Sequence, residues 1–218
     1  MNMTLVIGNR NYSSWSLRAW LLLAEAGIKF DVHRIALDLP GTAPELGKYS
    51  PAGRVPVLML DGYAVWDSLA IAETVAERWP ELKLWPEDPR ARAHARSISA
   101  EMHAGFTALR GALPMNCRAK GRKVALSAAV TSDIDRIVGI WSDCQQRYGR
   151  QGDWLFGRFS VADAMYAPVV LRFLSYSVRV PEAASRYPDR LLGSKAMQTW
   201  LAAAEAEPEI IEKDEVGE

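Results

Sequence analysis

Two short segments carry the side chains whose types and spacing point to chemistry. Tyr12-Ser13-Ser14-Trp15-Ser16-Leu17-Arg18 sets hydroxyls where an apolar strand hands over to an apolar helix. A helix start presents open backbone N–H groups and the positive end of the helix dipole, so hydroxyls placed there favour a bound anion. Arg54-Val55-Pro56-Val57-Leu58 supplies an X-Pro turn before a hairpin, and Trp66-Asp67-Ser68 places an acid and a hydroxyl at the next helix start. Together the segments describe a site for a small acidic peptide. Each also has a plainer reading: serines before an apolar helix cap it, and a proline at a strand start is ordinarily trans.

The elements that must position these residues follow from periodicity. Thr4 to Ile7 reads as a buried strand and Leu17 to Ala26 as a helix closed by Gly27. Phe30 to Ile35 is rich in strand formers and completes a βαβ unit with a parallel pair. Val57 to Leu60 and Tyr63 to Trp66 flank Asp61-Gly62, the strongest short hairpin signal available. Ser68 to Trp79 is a helix stopped by Pro80, and the proline-marked stretch from Leu82 to Pro89 separates two expected domains, 1–81 and 88–218. Beyond it the strand signals vanish. Ala95, Ile98, Met102, Phe106, Leu109 and Leu113 step by three or four, which predicts one helix opened by Asp88-Pro89. Val130 to Tyr148 forms a second, and Ser160 with Asp163 a capping box for a third. The acidic end, 209–218, is expected to fray. The fold class is therefore α/β followed by all-α.

Composition excludes several classes of function. With 218 residues, 49% hydrophobic, the chain can bury a substantial core. Its 26 basic and 26 acidic residues cancel, which leaves no electrostatic footprint for nucleic acid or a membrane surface. Cys117 and Cys144 are too few for a disulfide framework and lack metal-ligand spacing, so both read as reduced packing residues and no metal is expected. The opening apolar run to Gly8 turns into Asn9-Arg10-Asn11 without a cleavage-site pattern, and no stretch approaches the roughly 20 apolar residues of a spanning helix. The expected location is cytoplasmic.

A thioredoxin-like half, a Val-Pro turn before a hairpin, an acidic-Ser pair at the next helix and a helical half with a Ser-x-x-Asp cap resemble the cytosolic glutathione transferases. Within that family Ser13-Ser14-Trp15-Ser16-Leu17-Arg18 is most similar to the zeta-type Ser-Ser-Cys-x-x-Arg, with Trp15 in place of cysteine. The resemblance implies that Ser13 donates to the thiol of glutathione, the co-substrate, and favours its thiolate. Tyr12 is a rival donor, and Ser14 or Ser16 would then cap the helix. Val55, before a cis Pro56, would pair with the cysteinyl backbone like an added strand. Arg54 stands near the glycyl carboxylate or in solvent. Ser68 would receive the γ-glutamyl carboxylate and Asp67 its ammonium.

The resemblance further places an electrophile site between the halves, with Trp15, Met102, His103, Phe106, Tyr166 and Arg172 as candidates. Arg18 reads as a salt-bridge residue, and His33, His94 and His103 as surface or interface histidines without a chemical partner. Thiol-disulfide exchange is disfavoured, since no cysteine precedes Cys117. The implied reaction is conjugation of glutathione to a small, apolar electrophile by a homodimer. The alternatives are a zeta-type cis-trans isomerase resembling maleylacetoacetate isomerase, or a non-catalytic interaction scaffold.

Overall fold

The computed structural model describes residues 2–218. Its first half is built on a four-stranded sheet of β1 (Met3–Ile7), β2 (Asp31–Arg34), β3 (Val57–Leu60) and β4 (Tyr63–Val65), in spatial order β2-β1-β3-β4. The β1–β2 pair is parallel because helix α1 (Ser14–Glu25) crosses between them, whereas β3 runs antiparallel to both β1 and β4. The hairpin falls on Asp61-Gly62, both at positive φ, as a two-residue turn of this hand requires. A short α2 (Thr42–Leu46) leads to the Val-Pro turn, and α3 (Ser68–Arg78) follows the hairpin. This is the thioredoxin-like arrangement expected from the sequence.

Helices α4 (Pro89–Ala104), α5 (Thr107–Ala112), α6 (Ala128–Tyr148), α7 (Val161–Ser175), α8 (Glu182–Leu192) and α9 (Lys195–Glu205) make the second half. Helix α7 is the hub. It is buried along almost its whole length and packs on both α1 and α4, which joins the halves in one apolar core. The capping box is present: Asp163 accepts from the Ser160 backbone N–H and hydroxyl, each at 2.8 Å, and from Leu155 N–H at 2.9 Å. Burial of this carboxyl pushes its pKa up to about 7 despite those three donors.

Two expectations need correction. The helix predicted through Leu113 breaks at Gly105-Phe106, where Phe106 takes φ +56. A Cβ on Gly105 would lie 2.8 Å from the Glu101 carbonyl oxygen, so the apolar period continues across a joint that only glycine fits. The acidic end does not fray. Glu207 accepts from Arg10 and Asn11 backbone N–H groups, Glu209 pairs with Arg34 at 2.8 Å, and Glu215 engages Tyr12, Asn116 and Arg122. Charge pairing with the first half ties down a segment that composition alone marks as loose.

Candidate active site

Gly8 follows β1 and lets the chain pass close to the start of α1: a Cβ there would meet the Ser13 Cβ at 3.2 Å and the Leu37 side chain closer still. Its N–H donates to Ser16 Oγ at 3.0 Å. Ser16 Oγ lies 2.8 Å from Ser13 Oγ, and Ser13 is the N-cap of α1, accepting from Ser16 N–H at 3.4 Å. Ser16 is fully buried and Ser13 is the one acceptor within reach of its hydroxyl among the described residues, so Ser16 donates and the Ser13 proton is left to point elsewhere. Capping and donation outward are therefore compatible in Ser13. Tyr12 is not free for that role, because its hydroxyl donates to Glu215 at 2.5 Å and accepts from Arg118 at 2.9 Å. Arg118, far along the chain, carried no sequence signal for this contact.

The second segment faces the first across a cleft. The Val55–Pro56 peptide is cis. Ser50 clamps the turn by donating to the Arg54 carbonyl at 2.7 Å and accepting the Arg54 N–H at 2.9 Å. The backbone N–H and C=O of Val55 take no partner among the described residues. A cavity of about 300 Å³ is lined by Trp15, Ala52, Arg54, Val55, Pro56, Trp66, Asp67 and His103. A second, of about 360 Å³, shares Trp15, Arg54 and Val55 and reaches Tyr12, Ser13 and Ser14. One continuous groove thus runs from the serines to the head of α3.

At that head the two residues divide their tasks. Asp67 is the N-cap, accepting from Leu69 N–H at 3.0 Å and Ala70 N–H at 3.4 Å. The Ser68 hydroxyl is buried and has no hydrogen-bond partner among the described residues. Asp67 also pairs with His103 Nε2 at 3.0 Å, which links α3 to α4 across the cleft. His103 in turn stands edge-on to Trp15, with centroids 5.3 Å apart. It is therefore not the isolated histidine that the sequence suggested.

The expected electrophile wall is redrawn. Trp15 and His103 line the groove, but Met102 and Tyr166 are fully buried in the core, where the Tyr166 hydroxyl donates to the Ile98 carbonyl. Phe106 is likewise buried, at the α4–α5 joint, and lines neither cavity. The helical period marks an inward face, and here that face belongs to the core. Arg172 is buried as well. It donates to the Leu113 carbonyl at 2.8 Å, the Pro168 carbonyl at 3.4 Å and Ser14 Oγ at 3.3 Å. Nor is Arg18 a salt-bridge residue: it is buried, its guanidinium lies 4.3 Å from the Trp15 ring, and Nε and Nη1 have no partner among the described residues. Arg110 approaches the same indole at 5.2 Å. Burial, then Arg172 and Arg110, pushes the Arg18 pKa down to about 9, which still leaves it charged at neutral pH.

The cysteines are inert packing groups. Burial pushes the thiols of Cys117 and Cys144 up to about 12. Among the described residues no cluster of histidine, cysteine and carboxylate side chains is arranged to hold a metal, and no helix is long and apolar enough to cross a membrane.

Residues 12–78 match the family model described as the glutathione S-transferase N-terminal domain. The maleylacetoacetate isomerase of Rattus norvegicus is 30% identical over 165 residues, covering 74% of this chain and 73% of that one. The chain belongs to the glutathione transferase family. A probable maleylacetoacetate isomerase of Caenorhabditis elegans is 34% identical over 100 residues, a match that spans 46% of each protein. In three dimensions this transferase-family chain resembles a glutathione transferase homolog from Burkholderia BGR1, solved with bound glutathione, at TM-score 0.71 and 22% identity, covering 95% of this chain and all of that one. A Tau class transferase from mango, Mangifera indica, gives TM-score 0.70 at 18% identity over 94% and 96% of the two chains. Both likenesses bear on the fold.

Proposed function

We propose that this protein is a glutathione transferase in which the Ser13 hydroxyl holds the thiol of glutathione as thiolate and the sulfur then attacks a small electrophile. The observation that carries the reading is the groove itself, which brings the unpaired backbone of Val55, exposed Arg54 and Asp67 together with the α1 serines. The Ser68 hydroxyl, buried and unpartnered among the described residues, lies just behind it at the head of α3, lines neither cavity, and must turn outward to meet a ligand. A buried hydroxyl without a partner is costly, and an anionic ligand at a helix N-terminus satisfies it. In this reading Ser68 takes the γ-glutamyl carboxylate, Asp67 its ammonium, Val55 the cysteinyl backbone and exposed Arg54 the glycyl carboxylate. Ser13, fed by the Ser16 hydroxyl, donates to sulfur. The thiol proton leaves to solvent, and the sulfur electron pair forms the new S–C bond while the electrophile's leaving group, a halide in the case of an aryl halide, departs to solvent with the pair of the bond it breaks. Trp15, Trp66 and Pro56 give the electrophile an apolar wall. The supporting family resemblance also favours a cytoplasmic homodimer.

A second reading is a glutathione-dependent cis-trans isomerase, in which glutathione adds to and leaves one carbon framework. What favours it is the naming of the rat and nematode relatives as maleylacetoacetate isomerases. Trp15 stands against it, filling the position of the zeta-type cysteine, as does Arg172, whose donors are engaged by two carbonyls and Ser14. Purified protein tested for glutathione binding, then for conjugation of an aryl halide and isomerisation of maleylacetone, separates the readings. No binding at millimolar glutathione refutes both and leaves the interaction scaffold; isomerisation without conjugation selects the second.

A further inference from the structure

We propose that Ser14 is a second hydroxyl donor to the bound sulfur and that Arg172 is a positioning residue acting through it. The proposal rests on glutathione occupying the groove as described above. Ser14 is the first residue of α1, lines the same cavity as Ser13, and is not needed as a cap because Ser13 performs that task. Its oxygen accepts from Arg172 Nη2 at 3.3 Å, and among the described residues its own O–H donates to nothing. An oxygen that accepts from a guanidinium becomes a stronger donor through its own proton, since hydrogen bonds in a chain polarise one another. Ser14 is thus the counterpart of Ser13: one hydroxyl is fed by Ser16, the other by a buried cation.

The surroundings make that cation effective. Arg172 is held by the Leu113 and Pro168 carbonyls and forms no ion pair among the described residues. Arg18 and Arg110 add two more guanidiniums around Trp15, and Arg18 keeps two unpartnered nitrogens. The charged and titratable groups facing Arg172 are Arg18 from α1, Arg110 from α5, Tyr176 at the end of α7, Asp214 from the C-terminal segment and Cys117. Those facing Arg18 are Arg172, Arg110, Tyr166 and Asp67. Two carboxylates line the groove, and both are already engaged: Asp67 with His103 and Asp38 with Lys213. Buried cations with so little compensation favour a negative charge placed within their reach. A thiolate at the mouth of α1 supplies one. When glutathione binds, its S–H proton passes to solvent, the sulfur keeps the electron pair, and Ser14 donates to it without forming a covalent bond.

The test is a pH titration of the bound thiolate by its ultraviolet absorbance, at saturating glutathione set from calorimetric affinities. Ser14→Ala and Arg172→Met are each expected to raise the midpoint by about one pH unit, a tenfold loss of thiolate below the midpoint. The double variant is expected to be no worse than either single one, because both remove the same interaction. Arg172→Lys returns part of the shift, which a purely structural role would not do. An unchanged midpoint in Ser14→Ala, or additive effects in the double variant, overturns the proposal while glutathione binding stands. If Arg172→Met does not fold, Ser14→Ala and Arg172→Lys decide. A wild-type protein that binds no glutathione overturns the proposal together with the reading beneath it.

Discussion

Replacing Ser68 by alanine separates the ligand-binding role of α3's first residue from a folding role. A serine at a helix start ordinarily stabilises the helix, and its loss costs about 1 kcal/mol. Here the cap is Asp67, which accepts from Leu69 and Ala70, while the Ser68 hydroxyl is buried and makes no bond. Keeping such a hydroxyl dry and unpaired costs about 1–3 kcal/mol. Ser68→Ala removes that penalty and leaves a void smaller than a methyl group. Thermal unfolding without glutathione should therefore be unchanged or shifted upward by about 2–4 °C, the size of a 1 kcal/mol gain in a chain of this length. Binding should move the other way. A hydrogen bond to a carboxylate is worth about 1.5–3 kcal/mol, so the glutathione dissociation constant should rise by about 10- to 150-fold in calorimetric titration. Loss of stability with unchanged affinity would refute the reasoning, since it would make Ser68 an ordinary structural hydroxyl. Asp67→Ala is the contrast and should lower stability by about 1 kcal/mol.

Further outcomes follow from the same geometry. Ser13→Ala should lower turnover more than Ser16→Ala in steady-state assays. Ser16→Ala should instead lower the unfolding temperature, because it strands the buried Gly8 N–H. Asp163→Ala leaves the Leu155 and Ser160 N–H groups unpaired and should cost about 3–5 kcal/mol in denaturant unfolding. With the Asp163 carboxyl raised to about 7 in the folded chain, the unfolded state sheds that proton first; the contribution of this group to stability is full in acid and is lost as pH rises from about 4 through 7. Stability measured across that window in wild type and Asp163→Asn should show the slope only in wild type. Cys117 and Cys144 should resist alkylation at neutral pH until the protein is unfolded, as read by mass spectrometry.

What was legible in the sequence was local. The hairpin at Asp61-Gly62 and the Ser160–Asp163 box are set by residues within a few positions of one another, and both form as expected. The groove residues Trp15, Arg54, Val55, Pro56 and Asp67 also meet, because each lies at the end of an element whose place in the fold is fixed by that local pattern. What escaped was burial and distance. Arg18 and Arg172 carry the side chains of solvated helix faces, and nothing nearby in sequence marks α1 and α7 as packed against each other. Met102 and Tyr166 show the helical period, which reports an inward face without saying whether a ligand or the core occupies it. Arg118 on Tyr12 and His103 on Asp67 are contacts between segments far apart in the chain.

The fastening of residues 207–215 onto residues 10–12 and 34 bears on the order in which the molecule is made. A ribosome delivers the βαβ unit long before Glu207 and Glu215 leave the exit tunnel, so during synthesis the loop leading into α1 has neither its carboxylate clamps nor the partner for Tyr12. Helix α1 also waits for α7 to cover its apolar face. The groove can therefore take its final shape only once residues 207–215 have been made, and a nascent N-terminal half would be held without its latch, dependent on slow loop closure across about two hundred residues.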